Sequence, residues 1–238
     1  SDVLRIEEIA VDDSEDLGSI AFVTIDRPDK LNALNAEVMS SLKDMVSWVE
    51  NTDSIRVVVI TGAQPKEAEE GKRAKPNAFV AGADITEFVG KKSDDIRKMF
   101  AQNAVEALWG ISKPTIAMVD GFALGGGCEV ACSCDIRVAS DRSRFGTPEI
   151  NLGLIPGYGA TQRLVNLVGY GKTMEMVMTG EMINSADALK WGLVNHVVEA
   201  EQLYQFTIDI AKKIGAKSSH TLKVAKQTIR TALSIGLE

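Results

Sequence analysis

The chain has 238 residues, 45% hydrophobic and 5% aromatic, with 26 Lys and Arg against 33 Asp and Glu for a formal net charge of −7. Its mean hydropathy is +0.01 and its isoelectric point is near 5.0. This is the balance of a water-exposed chain able to bury a sizeable core. No apolar run approaches the ~20 residues of a membrane-spanning helix, and no basic-then-apolar leader opens the sequence. Cytoplasm is therefore the expected compartment, with no membrane partner. The acidic balance argues against a nucleic-acid partner, which depends on clustered Lys and Arg; an anionic small ligand has to find its positive charge locally.

The first clear element is "SIAFVTIDRP", Ser19 to Pro28, β-branched and apolar until Arg-Pro stops it, which predicts a strand and a turn. "NAEVMSSLKDMVSWVEN" puts Val38, Leu42, Met45, Val46 and Val49 on one helical stripe behind Asn35, a suitable N-cap. "IRVVVITG" has the pattern of a short buried strand ending in Gly62. From Ala63 to Asn77, "AQPKEAEEGKRAKPN" carries both signs of charge and almost nothing apolar, so a solvated loop is expected. The apolar pattern resumes at "AFVAGADI", passes through a helix from about Asp94 to Gly110, and returns as the strand "KPTIAMVDG". "CDIRVAS" predicts another short strand, and "FGTPEINLGLIPGYGATQRL" is dense in glycine and turn residues. Helices are expected near Ala160–Leu167, Lys172–Thr179 and Ser185–Lys190. The last third is mostly helical, with Leu203, Phe206, Ile210 and Ile214 at helical spacing and "SHTLKVAKQTIRTALSIG" repeating the pattern. Strands alternating with helices before a helical tail imply an α/β core with helices appended.

Two residue types can be set aside. Cys128, Cys132 and Cys134 have neither zinc-ribbon nor Cys-x-x-Cys spacing and no companion histidine, so they read as small buried side chains and no metal site is expected. His196 and His220 have no obvious partners in sequence, which leaves little material for a Ser-His or Cys-His mechanism.

The run "GGGCE", Gly125 to Glu129, admits three readings. A phosphate loop is one, although neither Gly-x-Gly-x-x-Gly nor Gly-Lys-Ser/Thr is present. Glycines permitting a tight turn and close packing are the second. The third makes the backbone amides themselves functional: at a helix start they lack internal partners, and an oxygen gaining negative charge is stabilised there. A second small-residue loop, "AGADI" at Ala81 to Ile85, would let two loops clamp one oxygen. Glu129 and Glu149 both have apolar neighbours, and desolvation raises a carboxyl pKa toward the range where it gives and takes protons near neutrality. Either acid equally reads as an ion-pair partner, for instance of Arg137 or Arg163.

From about residue 19 onward the chain resembles the crotonase family, the enoyl-CoA hydratases and isomerases. The resemblance rests on "RPDKLNALN" at 27–35, "AGADI" at 81–85, "KPTIAMVDGFALGGGCE" at 113–129, "CDIRVAS" at 134–140, "FGTPEINLGLIPGYGATQRL" at 145–164 and "TGEMINSADALKWGLVNHVV" at 179–198. It implies a spiral of βαβ units with two perpendicular sheets over residues 1–198, followed over 199–238 by a helical trimerisation region that is expected to be incomplete. Trimers of this family usually pair into hexamers.

The resemblance also implies roles. Ala83 and Gly126 match the positions whose N–H groups form the oxyanion hole for a thioester carbonyl. Glu149 matches the acid that exchanges the α-carbon proton, Glu129 the one that activates water for the β-carbon, and Gly157 a glycine that helps fix that water. No metal or redox cofactor is needed, coenzyme A being part of the substrate. It would lie across Arg27, Lys30, Leu31 and Ala33, with the backbone of Ala81, Ala83, Asp84, Ile85 and Thr86 near pantetheine. Keeping both acids points to reversible hydration of a trans-2-enoyl-CoA, and bulky Phe88 and Tyr158 point to a short acyl group. The products would be small 3-hydroxyacyl-CoA thioesters such as 3-hydroxypropionyl-CoA. An isomerase of the family, which manages with the acid at 149, and a non-catalytic acyl-CoA- or RNA-binding member are the alternatives. The 63–77 loop is longer than the family usually carries and either lids the site or stays clear of it.

Overall fold

The computed structural model describes residues 2–13, 16–67, 71, 74–88, 90, 91 and 103–233, with the backbone alone at Phe88. Most strands are apolar on consecutive positions, which requires cover on both faces. In β3 (Ile55–Gly62), Val58 and Ile60 face one hydrophobic cluster while Val57 and Val59 face a second. A fully buried side chain of this size contributes about 1.5–3 kcal/mol. β3 is central to a six-stranded sheet ordered β1 (Leu4–Ala10), β2 (Ser19–Ile25), β3, β5 (Thr115–Val119), β7 (Ile136–Ser140) and β10 (His196–Val198). Only the β1–β2 pair is antiparallel.

A second, four-stranded sheet runs β4 (Ala78–Val80), β6 (Phe122–Leu124), β8 (Arg144–Gly146), β9 (Ile183–Asn184). β3 with β4, β5 with β6, and β7 with β8 each give their first strand to the larger sheet and their second to the smaller. The chain therefore winds as the expected spiral. Among the helices, α1 (Ala36–Asn51) starts where the Asn35 side chain accepts from the Val38 amide at 3.0 Å, and it buries Val38, Leu42, Met45 and Val49. It packs on α2 (Ala104–Gly110), the described part of the helix expected from Asp94; residues 94–102 lie outside the described residues. α3 (Gly126–Ser133) follows β6, and α4 (Ala160–Thr179), α5 (Ser185–Lys190), α6 (Leu203–Gly215) and α7 (Ser219–Ala232) complete the set among the described residues.

Some details differ from the sequence reading. The two helices expected at 160–167 and 172–179 form one element with a break at Gly169, where φ is 79° and ψ 164°. In α6 the most buried face is Leu203, Thr207, Ile208, Ala211 and Gly215, with Phe206, Ile210 and Ile214 partly buried beside it. Small residues let the helix approach the sheet closely: a Cβ on Gly215 would come within 2.8 Å of Val11. β1 gave no clear signal because it is an edge strand with four consecutive exposed residues, and β6, β8, β9 and β10 are too short to show a period.

The turn 27–35 and the charged loop are joined by Asn32, which is 1% exposed and sits at φ 58°. Its Nδ2 donates to the carbonyls of Ala63 (2.9 Å) and Ala78 (2.8 Å), one on each side of the loop, while its Oδ1 accepts from the Arg27 amide at 3.0 Å. The loop also reaches the turn through Lys66, paired with the Asp29 carboxylate at 2.5 Å, and Lys75, which donates to the Asp29 carbonyl at 2.5 Å. Asn32→Ala leaves two buried carbonyls and one amide without partners, so it should lower stability by about 3 kcal/mol. For a chain of this size that is a fall of roughly 6–12 °C in melting temperature. Thermal unfolding of the variant checks this, and an unchanged midpoint would rule out the clamp.

Candidate active site

Two main-chain segments come together through one isolated bridge. Leu34 pairs with Ala83 in parallel, its amide donating to the Gly82 carbonyl (2.9 Å) and its carbonyl accepting from the Asp84 amide (2.8 Å). In such a pairing the residues flanking Ala83 make the bonds, so the N–H of Ala83 itself points to the opposite side. The loop is braced further by the Ala81 amide on the Leu31 carbonyl at 3.0 Å. Arg27 grips the Ala33 carbonyl at 2.6 Å and Asp84 at 3.0 Å. Asp84 is held well ionised, first by the Thr86 hydroxyl and then by Arg27, which together outweigh its partial burial.

Facing this loop is the N-terminus of α3. Gly125 caps it with φ 52°, and the first intrahelical bond is Glu129 N–H to the Gly125 carbonyl at 3.0 Å. The amide of Gly126 therefore belongs to the group that a helix start leaves without internal partners. Among the described residues, neither the Ala83 nor the Gly126 amide donates within the chain. The three glycines have separate causes. Gly125 has a positive φ, and a Cβ there would lie 3.1 Å from Glu149 Oε1; one on Gly126 would meet Leu34 at 3.1 Å and the Tyr158 ring at 3.3 Å. One on Gly127 would fall 1.9 Å from the Val80 carbonyl oxygen, where the helix lies against β4.

Glu129, in the first turn of α3, is 1% exposed. Its Oε1 accepts from the amides of Tyr158 (2.6 Å) and Ala160 (3.0 Å). Burial pushes its carboxyl up to about 7; the two amides and Arg163 pull down and Glu149 adds to the rise. Glu149 stands in the short 3₁₀ turn Pro148–Leu152, its carboxyl also raised by burial, and its Oε2 is buried without a hydrogen-bond partner among the described residues. Neither acid is paired with the arginines considered from sequence. Arg137 donates to the carbonyls of Leu193 and Cys134, and Arg163 to Tyr158 and Glu106.

A cavity of about 110 Å³ gathers Ala81, Ala83, Ile85, Gly126, Glu129, Glu149, Gly157 and Tyr158 from the sequence candidates. Its volume is well below the roughly 300 Å³ at which pockets begin to enclose a drug-sized ligand, so only the reacting end of a long ligand fits inside. Arg27, Lys30, Leu31, Ala33, Asp84 and Thr86 lie outside its wall, on the strap and turn beside it. The Phe88 side chain lies outside the described residues. The sequence reading missed Leu152, Leu154 and Ile155, which form an apolar wall. Leu152 and Ile155 are 62% and 68% exposed. Large apolar residues inside a glycine-punctuated turn, "INLGLIPG", were the available signal.

A second, larger cavity of about 1010 Å³ lies behind the same loop, sharing only Gly157 and Tyr158 with the first. Cys128 and Cys132 are buried in contact on α3, and Cys134 caps its end. Neither histidine lines either cavity. Among the described residues, no group of three His, Cys, Asp or Glu side chains converges as a metal site would. No helix among the described residues is long and apolar enough to cross a membrane.

A family model described as enoyl-CoA hydratase/isomerase matches residues 15–238. The chain is 40% identical over 223 residues to the short-chain-enoyl-CoA hydratase of Clostridium acetobutylicum, covering 93% of this chain and 81% of that one. It is 36% identical over 237 residues to the crotonyl-CoA hydratase of Syntrophomonas wolfei, covering 99% and 86%. The crystal structure of an enoyl-CoA hydratase from Bacillus anthracis superposes with a TM-score of 0.86 at 30% identity, covering 98% of this chain and 84% of that one. With the spiral, the strapped loop and the two acids already placed, these matches establish that the chain is an enzyme of crotonase fold belonging to the enoyl-CoA hydratase/isomerase family.

Proposed function

We propose that this protein catalyses reversible syn addition of water to a short trans-2-enoyl-CoA, and in reverse dehydrates small 3-hydroxyacyl-CoA thioesters such as 3-hydroxypropionyl-CoA. One observation carries the reading: two carboxyl groups with raised pKa face one small cavity together with two main-chain residues whose amides are unused among the described residues. The thioester oxygen accepts from Ala83 and Gly126, and the donors strengthen as enolate charge builds; one such donor is typically worth ~3 kcal/mol. Ionised Glu129 takes a proton from the water adding at the β-carbon. Glu149, in its acid form, delivers a proton to the α-carbon. Each acid then regains its starting state by exchange with solvent. Gly157, on the same wall, fixes the water through its amide. No metal or redox group is required by these steps. The second acid favours hydration over isomerisation, for which the carboxyl at 149 alone is enough.

Coenzyme A would extend from this cavity along the 81–86 backbone to the turn at Lys30, Leu31 and Ala33. Arg27 is already engaged by Asp84, so exposed Lys30 supplies the local positive charge, with Lys66 and Lys75 close by at Asp29. Tyr158, 7% exposed on the pocket wall, supports a short acyl group. A trimer or a dimer of trimers accords with the exposed Val224, Ile229 and Leu233 of the C-terminal helical region. Three free buried thiols suit a reducing, cytoplasmic compartment.

Hydration of crotonyl-CoA and its longer homologues, followed by loss of enoyl absorbance, tests the reading; no turnover with any of them ends it. Glu149→Gln should cut turnover by roughly 10²–10⁴-fold with little change in KM, because it removes a proton carrier and almost no volume. Comparable turnover in the variant would contradict the role. Glu129→Ala should slow hydration far more than solvent exchange of the α-proton of butyryl-CoA, measured by deuterium uptake; equal losses would mean that the two acids do not divide the work.

The raised pKa of Glu129 has a cost in stability. A carboxyl whose folded pKa lies above its unfolded value stabilises the fold fully below the unfolded value, and this is lost as pH rises through the folded one. From 4.5 to about 7 the difference is about 3 kcal/mol. Glu129→Gln should therefore melt above the wild type at pH 8 and lose most of that advantage at pH 5. Melting curves at the two pH values check it, and an advantage that does not change with pH would refute the burial argument.

A further inference from the structure

The loop 157–160 is the partition between the two cavities, and its two sides are gripped by different groups. On the reactive side the amides of Tyr158 and Ala160 hold Glu129 Oε1. On the far side Arg163 Nη1 donates to the Tyr158 carbonyl at 2.7 Å. The guanidinium lies against the loop itself: a Cβ on Gly159, where φ is 102°, would sit 2.1 Å from Nη1. Tyr158 is thus held at its N–H by the acid and at its C=O by the arginine.

Arg163 is in turn held from behind. Its side chain is 8% exposed, its Nη2 pairs with Glu106 of α2 at 2.7 Å, and its guanidinium packs 4.8 Å from the Trp109 ring centre. The same indole receives Arg230 of α7 at 3.9 Å. Arg163 Nε is buried without a hydrogen-bond partner among the described residues. A buried cation with an unsatisfied donor is a poor choice for stability alone, since an apolar side chain of similar volume is often neutral or better.

We propose that Arg163 is a positioning residue for Glu129: by fixing the Tyr158 carbonyl it sets the pair of amides that aims the Glu129 carboxylate at the water. The inference rests on the hydratase reading above, in which Glu129 acts on water. The arginine also acts through its charge, which favours the ionised carboxylate. The other groups facing Glu129 are Glu149 from the turn after β8, the Tyr158 and Ala160 amides, the Tyr158 hydroxyl, and Cys128 and Cys132 on its own helix. Those facing Arg163 are Glu106 and Trp109 on α2, Cys132 on α3 and Arg230 on α7.

The test compares Arg163→Met and Arg163→Lys with the wild type for crotonyl-CoA hydration across pH, and for α-proton exchange of butyryl-CoA. Misplacing a catalytic group by about 1 Å can cost ~10² in rate. Arg163→Met should therefore lose roughly that much kcat for hydration, with KM within about twofold. The acidic limb of its pH profile should move to higher pH, because the ionised form of Glu129 loses its cation. α-Proton exchange, assigned to Glu149, should fall much less, and added guanidinium at low concentration should restore part of the hydration rate. Arg163→Lys keeps the charge and loses the fork, so its acidic limb should stay near that of the wild type while kcat falls about tenfold, within the same positional cost. If Arg163→Met does not fold, the Lys variant still decides: wild-type kcat in it overturns the proposal. Parallel losses of hydration and exchange with an unmoved acidic limb would show a merely structural residue and also overturn it. A wild type that hydrates no enoyl-CoA sinks the hydratase reading and this inference with it, whereas an active wild type with unaffected variants sinks this inference alone.

Discussion

The site depends on a carboxyl group buried where its charge is barely tolerated. Glu129 is removed almost wholly from water and compensated on one oxygen by two backbone amides. Two neutral donors do not replace full hydration, so burial prevails and the carboxyl settles near 7 rather than its usual 4.5. At that value the protonated and ionised forms are both accessible at neutral pH, the condition for moving a proton in either direction. A better-solvated glutamate would be a weaker base, and an unsupported one would stay protonated.

Around this group the fold supplies backbone rather than side chains. The Leu34–Ala83 bridge turns one N–H outward from a loop, and the glycine-led start of α3 presents another. Both rest on close approach: Gly127 lets the helix lie against β4, and Gly125 leaves room for Glu149. Charged side chains nearby hold the main chain in place. Arg27 and Asp84 brace the first loop, and Arg163 and Glu106 stand behind the loop that carries the amides for Glu129. The spiral makes this possible, since each turn gives one strand to either sheet and so brings β4 and β6, with the loops that follow them, side by side.

Much of this was legible in the residues because it follows local rules. Asn35 as a cap, the stripe of α1 and the apolar run of β3 each need only neighbours in sequence to be read. The pairing of the "AGADI" and "GGGCE" loops was legible through the resemblance, since nothing local says that residues some forty positions apart meet. What stayed hidden depends on partners remote in sequence. Asn32 looks like an ordinary turn residue until its amide is seen to reach two carbonyls more than thirty positions away. Arg163 was weighed as an ion-pair partner for a glutamate, and the structure gives it a backbone carbonyl and a glutamate on α2 instead. Short strands such as β9, two residues long, exist only because a neighbour offers an edge.

The anchoring of the charged loop has a wider meaning for how such a chain varies. Asn32 holds the carbonyls of Ala63 and Ala78, and the Asp120 carboxylate accepts from both Gln64 and Asn77, each at 3.0 Å. Entry and exit are thereby tied to the same two residues, whatever the length of chain between them. Closure entropy grows only with the logarithm of loop length, about 0.6 kcal/mol for each doubling. The segment is accordingly a socket: natural drift or deliberate insertion can lengthen or shorten it while the strapped loop at Ala81 to Thr86, one strand further on, keeps its register.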